Sequence, residues 1–209
     1  MEMKHLLMMV ALGLATPAYA LAVVGDAVPI YTEDQLSVWF TTNQHLRQVK
    51  ADDCQLVQDI QARAEKTESP TYQFLYGDML AWGVCVPKDV EQGVYYMRAA
   101  AQQGVPVALE QLGRYYAQGV ILQQDKQRAI PYLREAAALG NIRARIQLAQ
   151  LLIADNGSPL DFEDAYRWLY QTVTTDKYQY QQLRRLRHQL EQKMPANIIA
   201  RAKRRSSFW

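Results

Sequence analysis

LYGDMLAWGVCVPKDVEQGVYYMRAAAQQG, residues 75–104, is answered 36 positions later by QLGRYYAQGVILQQDKQRAIPYLREAAALG, residues 111–140. In this register Gly77 falls on Gly113, Gly83-Val84 on Gly119-Val120, Asp89 on Asp125, Tyr96 on Tyr132 and Arg98 on Arg134. Ala100-Ala101 falls on Ala136-Ala137, Gly104 on Gly140, and Pro70 on Pro106. Residues so unlike one another do not coincide by chance, and self-similarity at a period of this length marks a repeat architecture. A third copy is weaker but in step: Ala108 maps to Ala144, Leu112 to Leu148, Asp125 to Asp161, Ala129 to Ala165 and Tyr132 to Trp168. Its glycines are replaced by Ala149 and Asp155, the loss of punctuation expected of an outer, capping copy.

Each unit reads as two antiparallel helices. Pro106 suits a first helical position, where its missing N–H is not needed, and residues 107–118 continue the helix until Gly119 ends it. Asp125 is placed to cap a second helix, whose apolar face recurs at Ala129, Tyr132, Leu133, Ala136 and Ala137, and Gly140 closes it in the left-handed conformation. Gly77, Gly83, Gly104, Gly113, Gly119 and Gly140 are therefore packing and turn residues. A lone helix pair cannot bury its apolar face, so units must stack. The expected fold is all-α, a helix-pair solenoid with N- and C-terminal helical extensions. Boundaries fall at 1–20 for a leader, 21–69 for an N-terminal extension and helical cap, 70–105, 106–140 and 141–175 for the repeats, and 176–209 for a basic C-terminal cap and tail. Upstream of Pro70 half a unit is visible, with Ile60 and Ala64 at the places of Tyr96 and Ala100.

Lys4, the apolar run 6–14 and Ala18-Tyr19-Ala20 have the layout of a cleaved secretory signal. The alternative, a membrane anchor, would need a longer apolar run. The mature chain then starts near Leu21, is periplasmic and has no transmembrane segment. A composition of 49% hydrophobic and 21% charged residues with net charge +2 is that of a globular protein and argues against a nucleic-acid partner. Cys54 and Cys85 are the two cysteines. In an oxidising compartment such a pair reads first as a disulfide, and the repeat register puts both at the same end of adjacent units; free buried thiols are the alternative.

A search for chemistry finds no constellation. His45 and His188 read as surface residues with no metal-ligand spacing around them, and no serine lies in a nucleophile motif. Asp161, Glu163 and Asp164 sit at a helix start, where acids complement the macrodipole. No catalytic residue, cofactor or metal is expected, and the chain is read as a non-enzyme. What remains is surface. Arg114, Tyr115 and Gln118 suit a protein-binding groove, with structural duty for the tyrosines as an equal alternative. Residues 178–193 and 195–205 read as basic helices. Arg204, Arg205, Phe208 and Trp209 at their end are either a docking element for an acidic partner or part of a solvated cap.

The sequence L/Y-G, G-V, D, then A/G-x-x-Y with Ala-Ala and Gly resembles the Sel1-like family of α-solenoids, relatives of tetratricopeptide (TPR) repeats, over about residues 70–175. The whole chain resembles a family of periplasmic components of sodium-driven polar flagellar motors. That likeness is carried by Pro29-Ile30-Tyr31-Thr32-Glu33, by residues 48–54 ending in Asp52-Asp53-Cys54, by residues 75–85, and by the basic Phe208-Trp209 end. It implies a basal-body ring protein that, with a MotY-like periplasmic partner, supports assembly of PomA/PomB-like stator subunits needed for rotation. The broader alternative is a periplasmic Sel1-like adaptor in envelope assembly or signalling.

Overall fold

The computed structural model describes residues 30–205, apart from the Arg205 side chain, and among the described residues every regular element is helical. The leader and Phe208-Trp209 lie outside them. In chain order the helices are α1 (Glu33–Thr41), α2 (His45–Ala51), α3 (Val57–Glu65), α4 (Pro70–Trp82), α5 (Val90–Gln102) and α6 (Pro106–Gln118). They continue as α7 (Lys126–Ala138), α8 (Ile142–Ile153), α9 (Phe162–Gln171), α10 (Lys177–Glu191) and α11 (Ala196–Arg205). Helices α4 and α5 pack as one pair and α6 and α7 as the next, and the stack runs on through α8 and α9.

The 36-residue register reaches down to single hydrogen bonds. Gly83 ends α4 with φ +70°, and Gly119 ends α6 with φ +72°. The Asp89 N–H then donates to the Leu80 carbonyl at 2.9 Å and the Asp125 N–H to the Tyr116 carbonyl at 2.8 Å. Each aspartate caps the following helix, accepting from Gln92 N in α5 and Arg128 N in α7, both at 3.0 Å. Left-handed backbone at these turns favours glycine because a Cβ clashes there.

The third turn departs from this register. Asp155, at the place of Gly119, takes the left-handed backbone itself with φ +57°, which a short polar side chain tolerates. A 3-10 turn, Pro159–Asp161, follows, capped by Ser158. Asp161 makes no side-chain cap for α9 and instead binds Arg134 of α7 at 2.9 Å.

The N-terminal extension is more than half a unit. Thr32 and Gln35 form a reciprocal capping box that starts α1. Tyr31 donates to Asp52 at 2.7 Å, and Tyr72 of α4 donates to the Tyr31 carbonyl. The disulfide joins Cys54, in the turn after α2, to Cys85, in the turn after α4, with Cα atoms 5.5 Å apart. Leu36, Phe40, Val49, Ile60 and Ala64 carry the extension's apolar faces into the core shared with Phe74 and Met79.

At the other end α10 buries Leu183, Leu186 and Leu190 against α8 and α9, while α11 lies on α9 through Ala202. Ion pairs fasten this cap: Lys193 to Asp155 at 2.6 Å, Arg201 to Glu163, and Lys203 to Glu191 at 3.3 Å.

Candidate functional site

Asp78 lies within an otherwise apolar stretch of α4, between Gly77 and Met79. An ionised carboxylate there is costly unless it is paired and hydrogen-bonded. Its partners come from two other elements. His45 of α2 places Nε2 2.7 Å from Asp78 Oδ2, and both residues are 2% exposed. On Oδ1 the carboxylate accepts from the Tyr115 hydroxyl at 3.1 Å and from Gln111 Nε2 at 3.3 Å, both on α6. Tyr115 Oη in turn accepts from Trp82 Nε1 at 2.7 Å. Burial, and then the Asp78 charge, push the Tyr115 hydroxyl pKa up, so it stays a neutral donor.

The network continues one repeat further. Glu110, also buried in α6, accepts from Gln147 of α8 at 2.6 Å and lies 3.1 Å from Arg143 and 3.6 Å from Arg114. Gln111 and Gln147 stand 36 residues apart, so one repeat position supplies an inward amide in two successive layers, where the first repeat has Leu75. Arg143 also donates to the Phe40 carbonyl at 3.2 Å, which ties α8 to the C-terminal end of α1 across 103 residues. Beside this tie a groove of about 660 Å³ runs between α1 and the starts of α6 and α8, with Phe40, Pro106, Val107, Leu139 and Arg143 in its walls. On the far side Arg145 donates to the Ala137 carbonyl and to Thr172, stitching α7, α8 and α9; burial, then Arg167, lowers its pKa.

Two sequence expectations are corrected here. His45 is a core residue held by Asp78, because α2 folds back over α4 and closes the site from solvent. Tyr115 is 0% exposed, so it cannot line a binding surface; its hydroxyl and ring are taken up by Asp78 and Trp82 of α4. Arg114 remains partly exposed over the Tyr115 ring and Gln118 is exposed, so that trio does not form one surface. The acids at the start of α9 do more than balance a dipole: Asp161, Glu163 and Asp164 pair with Arg134, Arg201 and Arg167. His188 is on the surface, 73% exposed.

Sequence reasoning missed the Asp78, Glu110 and Gln111 network. A signal was present, since a carboxylate inside an all-apolar helical run implies a buried partner. Arranged in this way, the polar core braces three helix layers and the N-terminal extension against one another. Among the described residues no cluster of three or more His, Cys, Asp or Glu is placed to hold a metal ion, and no helix is long and apolar enough to cross a membrane.

Comparison with known proteins agrees with this architecture. The Sel1 repeat family model matches residues 70–105 and 106–141. The sodium-type polar flagellar protein MotX of Vibrio parahaemolyticus is 61% identical over 202 residues, covering 97% of this chain and 96% of the relative. Two solved structures share the fold at 22% identity. A Sel1 repeat protein from Oxalobacter formigenes superposes with a TM-score of 0.51, covering 62% of this chain and 52% of that one. The c5321 protective antigen of uropathogenic Escherichia coli, with an SLR fold, gives 0.53, covering 84% of this chain and 32% of that one.

Proposed function

Since the chain belongs to the family of the sodium-type polar flagellar protein MotX, we propose that it is a non-catalytic periplasmic scaffold of the polar flagellar motor. In this reading it is exported by its leader and joins a ring at the basal body. With a MotY-like partner it supports assembly of PomA/PomB-like stator units around the rotor. The observation that carries the proposal is the 61% identity to a polar flagellar protein along almost the whole of both chains.

The physical character of the fold supports it. Such a role needs a stiff body with surfaces at fixed separations, and helix pairs stacked on one continuous core supply that. The buried polar brace and the disulfide hold the N-terminal extension to the repeats, so the chain presents one body to its partners.

Deletion tests the reading. Cells lacking the protein should keep their polar filaments but lose rotation, and fluorescent stator units should no longer gather at the flagellated pole. Re-expression behind a working signal sequence should restore both. Normal swimming with normal stator foci in the deletion would exclude the motor role and favour the broader envelope adaptor.

A further inference from the structure

Residues 176–209 hold nine of the 23 Lys and Arg of the chain but two of its 21 Asp and Glu, so net charge is +7 there and −5 over the remainder. Lys177 and Arg204 are exposed near the outer ends of α10 and α11, and six of the other cations fall into two sets. Lys193, Arg201 and Lys203 are held by Asp155, Glu163 and Glu191, and Arg187 lies over the Tyr170 ring at 5.6 Å. Arg184 and Arg185 are exposed on the outer face of α10, and no described carboxylate pairs with them. They line a shallow trough with Gln181, His188 and Gln189, two helical turns long and furnished throughout with hydrogen-bond donors.

We propose that this outer face of α10 is a docking surface for an acidic segment of a partner protein. This rests on the scaffold reading above and names the chemistry of one of its contacts. Charge complementarity carries it, because two exposed guanidinium groups with no described carboxylate partner can each take a carboxylate in bidentate geometry. Arg184 and His188 are one turn apart, so a partner presenting carboxylates about 6 Å apart meets both at once, His188 through Nε2, since its Nδ1 lies 3.9 Å from Glu191. A lipid surface is disfavoured by the same helix. Leu183, Leu186 and Leu190 are buried in the fold, so the aliphatic stripe of α10 is used up, and the exposed Tyr178 and Tyr180 stand at its first turn, ahead of the trough that begins at Gln181.

Photo-crosslinking in motile cells tests the surface in the full chain. A benzoylphenylalanine residue at exposed Gln181 should give a discrete protein adduct whose linked peptide contains neighbouring Asp or Glu. The same probe at exposed Gln123 should not give it. Arg184→Glu with Arg185→Glu should cut adduct yield by about tenfold or more, as expected when attraction becomes repulsion. Reversing two carboxylates of the linked peptide to Lys should restore it. Lys126→Glu with Arg128→Glu, an equal charge change elsewhere, should leave the yield unchanged, and an unaltered urea midpoint shows that each variant folds. If the double reversal does not fold, Arg184→Gln with Arg185→Gln takes its place. A lipid adduct, an adduct lacking acidic neighbours, one indifferent to the reversal, or none at all overturns the proposal. Failure here with motility lost on deletion rejects the α10 contact alone, whereas normal motility on deletion rejects the motor reading whatever α10 binds.

Discussion

Gly77 of α4 and Gly93 of α5 meet backbone to backbone. A Cβ on Gly77 would stand 2.7 Å from the Gly93 carbonyl oxygen, and one on Gly93 would stand 2.6 Å from that of Gly77. In the next repeat the partner of Gly113 is Ala129, and a Cβ on Gly113 would meet chiefly the Leu133 side chain, at 2.7 Å. The two repeats share a register but differ in tightness.

From this difference Gly77→Ala should destabilise by about 1–3 kcal/mol, since backbone cannot step aside and α4 and α5 must separate. Gly113→Ala should cost less than Gly77→Ala, though not nothing, because the side chain that must move, Leu133, is itself buried. A side chain can give way by a few tenths of an ångström where the Gly93 backbone cannot, and both alanines gain the same helix propensity of about 1 kcal/mol. Urea melts of the two variants give the comparison, and equal losses would contradict it.

Replacing Cys54 and Cys85 together by serine should cost about 3–4 kcal/mol, the loop-closure value for a bridge spanning 31 residues. The loss should fall on the N-terminal extension first. Hydrogen exchange should show faster opening of α1–α3 than of α6 and α7, and uniform loosening would argue against a local staple.

Removing the imidazole by His45→Leu leaves the buried Asp78 carboxylate with its α6 partners alone. A stability loss of about 1–3 kcal/mol is expected from the stranded acceptor. A double cycle with Tyr115→Phe should be non-additive, because both side chains serve one carboxylate. Additive losses would mean that the network does not act as a unit.

Acid should weaken the C-terminal cap. Donation from the Tyr166 hydroxyl at 2.6 Å, and then from Lys203, lowers the Glu191 pKa from its usual 4.5. A depressed carboxylate contributes stability that is full above its unfolded pKa and is lost as pH falls through the folded one. Wild type should therefore exceed Glu191→Gln in stability at pH 6, and the gap should close below pH 4.5. A gap that persists at low pH would show that the charge of Glu191 is not what matters.

The helix-pair units were legible because their signals are local. Gly83, Gly119, Asp89 and Asp125 act within a few residues of where they stand, so a capped turn repeats wherever its letters do. The left-handed φ of +66° at Ile121 was not legible, since a β-branched side chain gives no hint of it; it follows from the turn geometry shared with Cys85 at +62°.

Long-range pairing is where reading by spacing ended. Nothing in the letters says that α2 folds over α4, and that packing turns His45 from a surface residue into the partner of Asp78. Nor does spacing tell which arginines of the cap are free: Arg201 is satisfied by Glu163 only because α11 lies on α9. The chain by itself determined the period and the glycine-ended, aspartate-capped turns of the first two repeats, which are properties of near neighbours, and it offered the two cysteines as a candidate bridge that the packing of α2 on α4 completes. Tertiary structure alone decided the buried polar brace, the close approach of Gly77 and Gly93, and the exposed face of α10, because each depends on which surfaces the stack removes from water.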